Sequence, residues 1–139
     1  MYKNKLRKKN KKILFEYFSN ISTGDVELLA TYWSEKIIFE AVFSYTGSPS
    51  ITAGKDEVYK RLKKSYGLVS MSFNITEVHE FNDPNKFIVE YYSDGNMLGT
   101  GEKYSNLYIT IVEFETSKIK RFKEFYDSQK CAEAFQSLI

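Results

Sequence analysis

The chain has 139 residues, 42% of them hydrophobic and 17% aromatic, which is one domain's length with enough apolar side chains for a single sizeable core. Two prolines and seven glycines exclude a linker-rich or low-complexity chain, and no apolar run approaches the roughly 18 residues that span a bilayer. The net charge of +2 hides an asymmetry: residues 1–12 hold seven Lys/Arg and no acid, leaving 13 basic against 18 acidic side chains in the rest. A mildly acidic body with a basic end argues against a specific nucleic-acid-binding surface.

In chain order, Leu6, Ile13, Leu14, Tyr17, Phe18 and Ile21 fall at helical spacings and predict a first helix from about residue 5 to 20. Residues 1–12 are then a basic extension or helix start ahead of a single domain, 13–139. "NISTGD" breaks the helix, and Asp25 is a suitable N-cap for a second, "VELLATYW", with Leu29, Tyr32 and Trp33 to bury. "KIIFEAVF" has the β-branched and aromatic content of a strand. "SYTGSPSITAG" has loop chemistry. "KDEVYKRLKKSY" reads as a third helix, with Val58, Leu62 and Tyr66 on one stripe and acids in its first turn.

After Gly67 the pattern is β. Strands "SMSFNITEVHEF", "KFIVEYY", "EKYSNLYITIVEF" and "KIKRFKEFY" are separated by the turns "NDPN", "SDGN" and "ETSK", and "SQKCAEAFQSLI" predicts a short C-terminal helix. Helices followed by a long antiparallel meander define an α+β domain. A sheet that covers three helices has to curl into a cone around them.

This order, with the stretches "FNDPNKFIVEYYSDG" and "YSNLYITIVEFETSKIKRFKEFYD", resembles the nuclear-transport-factor-2-like superfamily, which includes ketosteroid isomerase and the SnoaL-like polyketide cyclases. It is closest in motif to the phenazine-biosynthesis A/B proteins. "STGDVELLATYW" and "ITAGKDEVYKRL" carry the likeness into the helical half, so that it covers roughly residues 13–135. The resemblance implies a cystatin-like curved antiparallel sheet, an apolar pocket at its open end, and commonly a homodimer formed through the sheet. It does not imply one chemistry, because the same fold serves several.

Strand parity bears on the site. Glu124 lies on one face of its strand with Phe122 and Tyr126, opposite Lys123 and Phe125. A three-residue loop at 115–117 would set Tyr108 across from Glu124, on one face with Asn106 and Thr110. A two-residue loop would set Glu124 beside Leu107 and Ile109. A carboxylate among Phe122, Tyr126 and Tyr108 would be desolvated, with its pKa raised towards the range useful for acid/base work at neutral pH. The alternative reading is a buried glutamate held by Asn106 and tyrosine hydroxyls.

The resemblance implies that Glu124, in the place of the phenazine A/B "REF" glutamate, is an acid/base residue. It also places Tyr17 on the first-helix tyrosine that donates to the oxyanion in ketosteroid isomerase, although the residues alone favour a core tyrosine on an apolar stripe. The isomerase's aspartate base falls on Ala41; Glu40, one place earlier, faces the other way unless the strand slips by one residue. The third isomerase group has no carboxylate counterpart, with Asn106 or Tyr108 nearest, so steroid-type isomerisation is not expected. The phenazine A/B pocket histidine is also missing: the third helix offers Asp56, Glu57 and Tyr59. The expected catalytic pair is therefore Glu124 and Tyr17, and the expected ligand-facing set is Trp33, Glu40, Asn106, Tyr108, Phe122 and Tyr126.

One histidine, His79 between two acids, and one cysteine, Cys131, offer neither a His pair nor a Cys/His spacing, so no metal and no cofactor are expected. His79 reads as a solvated or dimer-facing residue. A lone cysteine forms no internal disulfide, and "MYKNKLRKKNKKILF" lacks the apolar core of a secretion signal, so the cytoplasm is the expected compartment. Phosphate loops, nucleophile elbows and nucleotide fingerprints are not found. Three functions fit these readings. They are acid/base catalysis (isomerisation, cyclisation or dehydration) on a small apolar or aromatic molecule, binding of such a molecule without catalysis, and protein interaction through the sheet.

Overall fold

The computed structural model describes residues 2–46 and 49–136, apart from the side chain of residue 136. Helix α1 (Tyr2–Asn20) leads through a short 3₁₀ turn (Ile21–Thr23) into α2 (Val26–Ala30). Strand β1 (Trp33–Ala41), a short β2 (Ser50–Ala53) and helix α3 (Lys55–Tyr66) follow. The remainder is β3 (Val69–Glu80), β4 (Lys86–Met97), β5 (Lys103–Glu115), β6 (Lys118–Tyr126) and helix α4 (Ser128–Gln136). One six-stranded sheet runs in the order β2-β1-β6-β5-β4-β3. The α+β plan is thus as the sequence predicts, with residues 137–139 of the expected C-terminal helix outside the described residues.

The helices form for local reasons. On α1 the buried residues Asn10, Leu14, Tyr17 and Phe18 recur at three- and four-residue spacing, one apolar face turned to the sheet. The basic N-terminal residues form its first turns, most of them exposed, and Arg7 and Asn10 dock them. Arg7 donates to the carbonyls of Phe81 (2.9 Å) and Asn82 (3.1 Å), while Asn10 donates to the Pro84 carbonyl (3.1 Å) and to Asn85 Oδ1 (3.0 Å). The "NDPN" turn is therefore the seat of α1. Asp25 caps α2 as expected, its Oδ1 accepting the Leu28 N–H at 3.0 Å. On α3 the acids Asp56 and Glu57 open the helix and Lys63 and Lys64 close it, the order that the helix dipole favours.

Four elements differ from the expectation. Helix α2 stops at Ala30, and Trp33 begins β1 instead of ending the helix. β-Branched and aromatic residues from Ile37 onward draw the strand back towards it. Residues 50–53, read as loop, form an edge strand antiparallel to β1. β1 itself runs parallel to β6, so the sheet is mixed and not wholly antiparallel. The "SDGN" segment continues β4, and the turn lies beyond Met97. Gly95 makes this continuation possible: a Cβ there would sit 2.1 Å from the Ser70 carbonyl oxygen, so only glycine lets β3 approach.

Register shifts bend the sheet. They occur in β1 between Trp33 and Ile38, in β3 between Ile75 and Glu77, and where β5 meets β6; each such extra residue kinks its strand and increases local twist. The concave face and the helices enclose one aromatic-rich core, in which Phe18, Tyr91, Phe87, Phe114 and Trp33 are almost fully buried. Among the described residues no helix is long and apolar enough to cross a membrane.

Candidate functional site

The β5–β6 hairpin sets the site. Its loop is two residues, Thr116 and Ser117, both at positive φ (51° and 59°), the backbone pattern of a type I′ turn without its usual Asn-Gly. Pairing begins Glu115↔Lys118 and Phe114↔Ile119, then jumps to Glu113↔Arg121. Lys120 is thus an extra residue on β6. This bulge lets Ile119 and Phe122, three apart, both point inward, where they are fully buried.

Beyond the bulge Thr110 faces Glu124 and Tyr108 faces Tyr126. Neither loop considered from sequence gives that register. The three-residue loop has the correct face but sets Glu124 two residues out of place; the two-residue loop needs the bulge to restore the face. On its other side Glu124 neighbours Ala41 of β1. The position where the isomerase base would align is therefore a methyl group beside Glu124, and the carboxylate comes from the adjacent strand.

Glu124 lines a cavity of about 310 Å³ between α1, α3 and the concave sheet. It is 8% exposed. The hydroxyl of Thr110, its cross-strand neighbour, is hydrogen bonded to Tyr91 Oη at 2.6 Å instead. Among the described residues no side chain makes a hydrogen bond or ion pair with this carboxylate. Burial pushes its pKa from 4.5 up to about 7, against a smaller downward pull from the Arg61 guanidinium. Desolvation thus outweighs the nearby charge.

The other expected residues divide. Tyr17, Tyr108, Phe122 and Tyr126 line the cavity with Glu124. Tyr17 Oη accepts the Trp33 indole N–H at 3.1 Å, which leaves the phenolic proton uncommitted, and burial raises its pKa so that it stays protonated. Tyr108 donates to Ser93 Oγ at 2.9 Å. Phe122 stacks on Phe39.

Trp33, Glu40 and Asn106 do not line the cavity. Trp33 lies behind Tyr17 and orients it. Glu40 alternates with the cavity-lining Phe39 and Ala41, so it faces the outer side, paired with Arg121 at 3.3 Å. Asn106 is a buried clamp: its Nδ2 donates to Tyr104 Oη (2.8 Å) and the Asp127 carbonyl (2.9 Å), and its Oδ1 accepts the Asp127 N–H at 3.2 Å. It fixes the β6–α4 connection, and α4 in turn supplies Cys131 and Phe135 to the cavity wall.

Arg61 and Tyr66 of α3 were not expected, and both line the cavity. Arg61 sits three residues after buried Val58 and beside buried Leu62; a cation at that spacing on an apolar face was the available signal. Tyr66 carries a hydroxyl with no hydrogen-bond partner among the described residues, and its pKa lies well above the ordinary tyrosine value, chiefly through burial. Tyr45 and Phe135, their rings stacked at 5.6 Å, stand at the rim. On the outer sheet face His79 bonds to Glu90, which raises its pKa. Glu77, His79 and Glu90 bring three groups of metal-ligating type together there, although no sequence spacing announced them.

A helix-backed curved sheet, holding one buried carboxyl and several tyrosines around an apolar cavity, is the plan of a nuclear-transport-factor-2-like domain. The chain belongs to the SnoaL-like domain family, whose match covers residues 14–122. It is 27% identical over 123 residues to YesE, an uncharacterised protein of Bacillus subtilis, covering 88% of this chain and 84% of that one. A Bacillus subtilis structure provisionally named an isomerase superposes with a TM-score of 0.84 at 26% identity, over 93% of this chain and 94% of the other. The phenazine biosynthesis-related protein PhzB2 of Pseudomonas aeruginosa gives 0.80 at 26% identity, over 96% and 89%.

Proposed function

We propose that the protein binds a small apolar or aromatic molecule in this cavity and moves a proton on it, in an isomerisation, cyclisation or dehydration. Glu124 is the acid/base residue. The observation that carries this reading is a buried carboxyl on the cavity wall, without a side-chain partner among the described residues and poised at about 7. A structural glutamate at such depth would be expected to be hydrogen bonded. In the step proposed, the Glu124 carboxylate takes a proton from carbon next to a carbonyl. The C–H electron pair moves into the enolate, and the oxyanion is held by the Tyr17 or Tyr66 hydroxyl. Return of the proton at the same or another carbon completes the reaction. YesE, the B. subtilis structure and PhzB2 are similar to this chain at a level that supports a pocket protein without choosing the substrate.

The test is hydrogen exchange at C1 of 2-tetralone in D₂O, followed by proton NMR. Wild-type protein is expected to accelerate exchange, with a rate that rises through about pH 7 as Glu124 ionises and then levels. Glu124→Gln is expected to lose roughly 10²-fold or more, the usual scale of a positioned general base. Equal rates for the two proteins would contradict the assignment and favour binding without catalysis.

We also propose that the outer sheet face pairs two copies of this chain. Leu107 (72% exposed), Ile109 and Tyr92 form an apolar surface on β4 and β5, of the kind that monomers seldom leave open. Sedimentation equilibrium is expected to give a dimer for wild type and a monomer for Leu107→Glu; a monomeric wild type would remove the proposal.

A further inference from the structure

Arg61 suggests what the ligand carries. Its guanidinium is fixed from two sides: Nη1 donates to Thr52 Oγ1 at 2.8 Å and to the Phe39 carbonyl at 3.5 Å, and Cζ lies 4.8 Å from the Phe39 ring centroid. Those bonds use one nitrogen. Nη2 and Nε have no hydrogen-bond partner among the described residues, and no carboxylate there forms an ion pair with Arg61. An arginine held in place with donors to spare, on the wall of an apolar cavity, is preorganised to receive a planar anion.

The balance of charge in the cavity agrees. Glu124 is the one acid among the lining residues, which also include Arg61 and, at the rim, Lys64. Below about pH 7 Glu124 is mostly protonated, and the cavity is then net positive. A ligand without an acceptor at this end would leave the guanidinium's free donors unpaired, and a neutral acceptor would leave its charge uncompensated. A carboxylate would fill them and keep its hydrocarbon body against Phe39, Phe73 and Phe122.

We propose that Arg61 is an anion subsite and that the ligand of this cavity is an aromatic or alicyclic carboxylate, bound with its carboxylate on Arg61 and its carbon skeleton extending towards Glu124. This rests on the small-molecule pocket proposed above. It gives that pocket an orientation: the carboxylate is the handle, and the carbon reached by Glu124 lies elsewhere on the ring system.

Matched carboxylate and carboxamide pairs test it, because each pair differs in charge and hardly in shape. Benzoate and benzamide, 2-naphthoate and 2-naphthamide, and anthracene-9-carboxylate and its amide span one to three rings. Isothermal titration at pH 6 against wild-type protein is expected to give at least tenfold tighter binding of the carboxylate in the best-fitting pair. Arg61→Met, which removes the guanidinium but keeps an unbranched apolar side chain, is expected to reduce that preference to within threefold, chiefly by weakening the carboxylate. Arg61→Lys, which keeps the charge, is expected to retain most of it. Equal wild-type affinity for carboxylate and carboxamide would overturn the anion subsite and leave the pocket standing, as would a preference that survives in Arg61→Met. Failure of every pair to bind would overturn the pocket reading itself, and the subsite with it.

Discussion

Replacing Glu124 by glutamine is expected to stabilise the protein by about 3 kcal/mol at pH 8 and to leave it nearly unchanged below pH 4.5. The sign follows from linkage. Glu124 titrates at about 7 in the folded chain against an ordinary 4.5, so between these values the folded state holds a proton that the unfolded state has released. Stability that this group contributes is fully present below pH 4.5, falls by about 1.4 kcal/mol per pH unit through the window, and is lost above about 7. Glutamine has nothing to lose. Urea unfolding of both proteins at pH 4.5, 6 and 8 should show curves that meet at the acid end and diverge upward. Parallel curves would mean that the carboxyl is solvated. A gain in stability on removing a group is also what a functional site predicts, since a desolvated carboxylate is retained against its folding cost.

The second large effect concerns the wall beside it. Phe122 is 2% exposed, stacks on Phe39 with ring centroids 5.2 Å apart, and touches Tyr17 and Phe18 at 5.9 Å each. It joins the helical layer to the sheet at the depth of the cavity. Phe122→Ala is expected to cost about 3–5 kcal/mol, enough to lower the melting temperature by roughly 10 °C or more in a chain of this size. The new hole would adjoin the cavity, so added benzene should recover part of the loss by occupying it. A cost under about 1 kcal/mol, measured by thermal and urea unfolding, would show that the wall collapses inward and that the cavity is not held open by its aromatic frame.

What could be read from the residues alone follows physical lines. Alternation is a local property, so β6 was bounded correctly from Lys118 to Tyr126, and Glu124 fell on one face with Phe122 and Tyr126. Pairing between strands is not local. The Lys120 bulge depends on Ile119 and Phe122 both finding the core, and nothing in "KIKRF" states that choice. The parallel union of β1 with β6 joins segments some 80 residues apart, and the sequence order of a meander conceals it. Glu40 was expected at the ligand, yet parity already opposed it, and Arg121 across the sheet completes the outer-face pair. Asn106 reads as a pocket residue because it shares a face with Tyr108; its actual partners, Tyr104 and the Asp127 backbone, could be placed only once α4 was seated. Arg61 was hidden for a different reason. A long cationic side chain beside an apolar stripe usually reaches back to water, whereas here Phe39 and Thr52 turn it inward.

The account stands most directly on the ionisation of one carboxyl. Chemical shifts of glutamate Cδ in ¹³C-labelled protein, assigned to Glu124 by comparison with Glu124→Gln, give its titration curve without a substrate. The structure predicts a midpoint near 7. A midpoint near the ordinary glutamate value of about 4.3 would contradict a desolvated carboxyl in the cavity, and with it the acid/base role.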